Sequence, residues 1–114
     1  MEDLSMFDLQ YLEDNFGRDH DLLRDIFKAY AEASERSLSE FQSAIDLLDC
    51  EAFAAACHKL KSSSQTVGDQ TLATLCDRLE LPARNKDIDQ LQQEFPELKN
   101  RIEMSIEGAK NVVL

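Results

Sequence analysis

An all-α fold, an antiparallel four-helix bundle with a short additional N-terminal helix across one end, is predicted from three features. Only three glycines and two prolines interrupt the 114 residues. No stretch alternates apolar and polar residues in the manner of a half-buried strand. Apolar residues recur instead at steps of three and four over most of the chain. At this length, with 43% apolar residues, folding buries one modest core and removes about two-thirds of the surface that the unfolded chain exposes. Residues 1–114 are therefore expected to form a single domain.

The elements follow in order. Leu9, Leu12 and Phe16 mark a short first helix, capped near Ser5 and ending at the Asn15-Phe16-Gly17 turn. Asp19 caps a long second helix whose inner stripe is Leu23, Phe27, Tyr30, Ser34, Leu38, Phe41, Ile45 and Leu48. No helix breaker stands between Gly17 and Gly68, yet an unbroken helix of that length would extend roughly 75 Å, far beyond a domain of this size. The stripe breaks phase between Leu48 and Phe53, a step of five, which places a turn at Leu48 to Cys50 with Asp49 capping the next helix. That third helix carries Phe53, Cys57, Leu60, Ser64 and Val67 inward and ends at Gly68. Asp69 caps a fourth, with Leu72, Leu75, Cys76, Leu79 and Ala83 inward and Pro82 near its end. Asp87 opens the last, with Ile88, Leu91, Phe95, Leu98, Ile102, Ile106 and Ala109 inward. The stripe runs on through Pro96, which predicts a kink rather than a stop, at a cost of about 3 kcal/mol that packing must offset. Four such stripes satisfy one another as an antiparallel bundle.

Twelve basic residues against twenty-three acidic ones give a net charge of −11. That charge repels phosphate backbones and anionic lipid, so neither nucleic acid nor a membrane surface is an expected partner. The chain begins without a basic segment leading into an apolar one, and its apolar runs fall far short of the ~20 residues needed to span a bilayer. Cys50, Cys57 and Cys76 are odd in number and lack metal-like spacing. A reducing compartment, and hence a cytoplasmic location, is expected.

Wound at 100° per residue, the third helix places His58 roughly 140° from the centre of its inner stripe, pointing to water. Its surface neighbours are Ala54, Ala55, Lys61, Ser62 and Gln65. Three of these five are as small as alanine or serine, which leaves the imidazole standing clear for a large convex partner. Alanine is also the best helix former, and an exposed histidine is often only a tolerated polar residue, so position alone names no chemistry. Lys61 adds an ammonium one turn away, able to meet negative charge attached to His58. A metal site of Cys57, His58 and a carboxylate is disfavoured, because adjacent residues on one helix diverge by about 100°. His20, among Arg18, Asp19 and Asp21, reads as a solvated helix-terminal residue, and Cys76 as core filling.

The run His58-Lys59-Leu60-Lys61-Ser62-Ser63-Ser64, then Val67-Gly68, Leu72, Leu75-Cys76 and Leu79-Glu80, resembles the histidine-containing phosphotransfer (HPt) family. Its pattern is roughly H-x-L-K-G-S-[SA] with a later glycine and an L-x-x-L-C-x-x-L-E helix. Phe16-Gly17-x-Asp19 and Leu22-Leu23 resemble the family's entry to the second helix, so the likeness covers nearly the whole chain. Length and histidine position are similar to those of members serving bacterial quorum sensing. One departure is Ser62, where the family most often has glycine, which sets a hydroxyl in the path of a docking partner.

The resemblance implies that His58 accepts a phosphoryl group from a receiver-domain aspartate and passes it to a response-regulator aspartate. It implies that Lys61 neutralises charge, and that the partners are the receiver domain of a hybrid sensor kinase and a downstream response regulator. Ala54, Ala55, Ser62 and Gln65 are expected at the docking surface, flanked by Met6, Leu9 and Phe16 from the first two helices. No cofactor is expected on this chain; the Mg²⁺ of the reaction would sit on the receiver. No G-x-x-x-x-G-K-[ST] loop is present, so ATP is not an expected phosphodonor. A monomer is expected, since the stripes match internally. The competing reading is an acidic helical adaptor that binds without covalent chemistry, with His58 incidental.

Overall fold

In the computed structural model, residues 6–112 are described. They form α1 (Leu9–Phe16), α2 (His20–Asp46), α3 (Cys50–Val67), α4 (Gln70–Arg84) and α5 (Ile88–Lys110), with no strand among the described residues. Every helix starts at an aspartate. The side chains of Asp8, Asp19, Asp49, Asp69 and Asp87 each accept from a backbone N–H of the first turn. A carboxylate there meets otherwise unpaired donors and the positive end of the helix dipole, so part of the acidic composition serves to set helix starts. Four of these caps match the sequence reading. The fifth corrects it: α1 is capped by Asp8, whereas Ser5 lies outside the described residues.

Short turns make successive long helices antiparallel. α2 packs on α3, α3 on α4, α4 on α5 and α5 back on α2, closing the predicted bundle into a spindle of 43 × 23 × 19 Å. The inner stripes meet as expected, and Phe53 stacks edge-on against Phe41 at 4.9 Å and Phe95 at 6.5 Å. Among the described residues no helix is long and apolar enough to cross a membrane.

α1 lies across the end where α3 stops. Asp8 N–H donates to the Val67 carbonyl at 3.1 Å, and a Cβ on Gly68 would fall 2.3 Å from that of Asp8. Gly68 also takes the left-handed conformation, φ +78°, so glycine is required twice over. Phe7, which the periodicity did not reveal, is buried against Phe27 and Tyr30.

One detail differs from expectation. The turn between α2 and α3 occupies Leu47 to Asp49, one residue earlier than predicted, because a cap at Asp49 makes Cys50 already helical. Leu48 consequently leaves the inner stripe: it adopts φ +55° and is exposed, as is Leu47. The helix α5 passes through Pro96 without stopping. The carbonyl deprived of its N–H partner belongs to Gln92, on the exposed face, where water can satisfy it.

Candidate functional site

The register of α3 against α4 builds the site. Cys57, Leu60 and Ser64 are sealed in the core, so the alternate edge of α3 must emerge, and His58 stands on it with 68% of its side chain exposed. Opposite, α4 presents Asp77, Glu80 and Arg84 at helical steps of three and four. His58 Nδ1 is 3.5 Å from Glu80 Oε1. The same oxygen is 3.4 Å from Lys61 Nζ, and it is buried with no hydrogen bond completed. The other Glu80 oxygen accepts from the Arg84 guanidinium at 2.9 Å.

Lys61 Nζ donates to Asp77 Oδ1 at 3.1 Å. That bond, chiefly, together with the charges of Glu80 and Asp77, raises the Lys61 pKa and holds the ammonium charged. A chain of alternating charge results, Arg84, Glu80, Lys61, Asp77, balanced in sum within a strongly acidic protein. The imidazole hangs from its middle by one nitrogen. Among the described residues no partner stands on Nε2.

The predicted neighbours divide into two groups. Ala55, Ser62 and Gln65 are exposed on the His58 side of α3, and Ala54 is half-buried at its edge. The Ser62 hydroxyl turns back to donate to the His58 carbonyl at 3.4 Å. Ser64 packs inward, as expected, 3.5 Å from the Tyr30 hydroxyl. Met6 and Leu9, by contrast, are not brought against His58. They line a groove with Gly68 and Arg101, about 15 Å along α3 from the imidazole at 1.5 Å per residue. Phe16 is 41% exposed at the end of α1.

Sequence reasoning missed the contribution of α4. Glu80 stood in the quoted L-x-x-L-C-x-x-L-E pattern, and Arg84 follows it by one turn, a detectable i,i+4 pair. Leu81, 65% exposed, lies within one turn of both Asp77 and Arg84 on α4. The cysteines take no part: burial pushes the Cys57 thiol far up and that of Cys76 up to about 12, so neither is a ready nucleophile or metal ligand. Cys57 and His58, adjacent in sequence, face core and water respectively.

Comparison with known proteins bears on the family and the fold. Residues 25–108 match the family described as the Hpt domain. The fold is similar to that of histidine-containing phosphotransfer protein B (HptB) from Pseudomonas aeruginosa PAO1, with a TM-score of 0.66 and 22% identity over 90% of this chain and 95% of that one. No curated protein matches the sequence significantly. Since the family match spans most of the chain and contains the whole His58, Lys61 and Glu80 cluster, the chain belongs to the Hpt domain family.

Proposed function

We propose that this chain is a histidine phosphotransfer intermediate of a phosphorelay, taking a phosphoryl group on His58 from the aspartate of a hybrid sensor kinase's receiver domain and yielding it to a response-regulator aspartate. One observation carries the reading: a histidine ring with one nitrogen facing a buried carboxylate oxygen at 3.5 Å and the rest of the ring largely open to water. A proton on Nδ1 directed at Glu80 leaves the Nε2 lone pair outward as the nucleophile.

That lone pair forms the N–P bond as the P–O bond of the aspartyl phosphate breaks, and the electron pair of the broken bond stays on the departing carboxylate. No proton has to be removed, because the ring keeps its Nδ1–H and becomes cationic. Glu80 then faces a cationic donor, and charge-assisted hydrogen bonds are roughly twice as strong as neutral ones. In the return step the acceptor's carboxylate attacks phosphorus, the N–P bond breaks and its electron pair goes back to Nε2.

Such a transfer passes through a loose transition state that asks chiefly for in-line positioning and charge neutralisation. The rigid face of α3 serves the first demand and Lys61 the second. Mg²⁺ belongs to the receiver, and this chain contributes no ligand to it. Ala54, Ala55, Ser62 and Gln65 offer the receiver a low surface around the imidazole. The finer reading is a monomer acting in the cytoplasm in a quorum-sensing relay of the LuxU type. Chain length, the place of the histidine and three free thiols support it.

The decisive experiment is incubation with a labelled phospho-receiver. The parent chain should take label that is lost in acid and survives alkali, and His58→Gln should stay folded and take none. Equal labelling of that variant overturns the assignment to His58, and a parent chain that takes no label favours the noncovalent adaptor.

A further inference from the structure

We propose that Asp77 is a positioning residue that holds Lys61 in reserve, occupying its ammonium in the resting chain and surrendering it to the phosphoryl group on His58. The inference rests on the relay reading above and adds a partner exchange to it.

Two carboxylates claim one ammonium. Lys61 Nζ is 3.1 Å from Asp77 Oδ1 and 3.4 Å from Glu80 Oε1. The two claims are unequal. Glu80 is nearly enclosed, 11% exposed, and retains Arg84 at 2.9 Å and His58 at 3.5 Å if Lys61 moves. Asp77 pairs with Lys61 alone among the described residues, and its side chain is 68% exposed. Water can therefore replace the lysine on Asp77 at little cost, whereas Glu80 keeps its protein partners throughout. The bond that opens is the one to Asp77. Lys61 Nζ and His58 Nδ1 lie 3.4 and 3.5 Å from the same Glu80 Oε1, so the ammonium starts beside the ring whose far nitrogen, Nε2, takes the phosphoryl group. An incoming phosphoryl group brings more negative charge than a single carboxylate, so the exchange runs toward His58 once the group arrives.

Asp77 would then set how readily Lys61 is released. Removing its charge while keeping its shape should shift the phosphoryl equilibrium toward His58 by about two- to fivefold, the range expected of an exposed ion pair. Asp77→Asn is to be compared with the parent for the equilibrium labelling of His58 by a phosphorylated receiver, and again in a Lys61→Ala background. A shift in the first comparison that disappears in the second supports the exchange. No shift, or an equal shift without the lysine, overturns it, the latter because Asp77 then acts by direct repulsion. A measurement without any receiver tests the pairing separately: NMR titration of Lys61 should give a lower pKa in Asp77→Asn, and an unmoved value also overturns the role. A parent chain that takes no label on His58 overturns the relay itself, an outcome distinct from an inert Asp77 variant in a chain that is labelled.

Discussion

The bundle holds two polar clusters in opposite surroundings. One is the chain of Arg84, Glu80, Lys61 and Asp77 along the outer seam of α3 and α4, where exposure of the side chains ranges from 11% to 68%. The other lies under α1, where the fully buried Asp69 caps α4, accepts from Ser105 Oγ at 2.7 Å and faces Arg101 at 3.5 Å. Ser105 in turn stands 2.6 Å from the Tyr30 hydroxyl. With Ser105 committed as donor to Asp69, Tyr30 donates to Ser105. The inner cluster ties α2, α4 and α5 together where water cannot substitute for a lost partner, so each bond fixes the fold. The outer cluster has water at hand, so its partners can be exchanged. Aspartate and arginine thus belong to a clamp in one place and a working surface in the other, and the difference is solvent access.

Asp69→Ala should widen that contrast most. It strands the Ser105 hydroxyl, leaves Arg101 without its carboxylate and removes a helix cap, so denaturant unfolding should show a loss of about 3 kcal/mol. A loss below about 1 kcal/mol would mean the inner cluster is as replaceable as the outer one.

Alkali probes the same contrast. Burial raises the pKa of Tyr30 and of the Cys57 and Cys76 thiols. Below the unfolded thiol value of 9.0 both states keep their protons and stability is unaffected. Above it the unfolded chain ionises first, so stability falls by about 1.4 kcal/mol per pH unit for each buried thiol. Unfolding curves between pH 8 and pH 10 should show the decline, and a flat profile would contradict a sealed interior.

Glu80→Gln tests the outer cluster. The amide oxygen still faces Nδ1 but offers no charge to the cationic ring, so transfer should slow about fivefold while stability changes by less than about 1 kcal/mol. Equal rates would remove Glu80 from the mechanism. The smallest effect belongs to Lys59→Ala, whose exposed pair with Glu40 lies on the α2 side of α3. Stability and transfer should both stay within about 0.5 kcal/mol of the parent, and a larger loss of transfer would extend the working surface past His58.

The ease of reading each part from sequence follows the range of the interactions involved. Helix boundaries depend on neighbours a few residues apart, so the stripes and four aspartate caps were legible, as was the outward place of His58. The first cap was misplaced, at Ser5 instead of Asp8, because the helix is too short for periodicity to fix its first residue. Met6 and Leu9 were assigned to the histidine's surroundings because no local pattern says which end of a bundle a short helix will cross.

The amino-acid order by itself determined an all-helical chain with an imidazole set apart from the core and a lysine one turn away, because 3.6-residue winding fixes which side chains share a face. Tertiary structure alone decided that Glu80 meets the Nδ1 edge of that imidazole and that Asp77 takes the lysine. It also decided that Asp69, written like any other cap, is sealed from water. Those outcomes depend on the register between helices, which is set by the interlocking of side chains 16 to 36 residues apart and leaves no periodic trace along the chain.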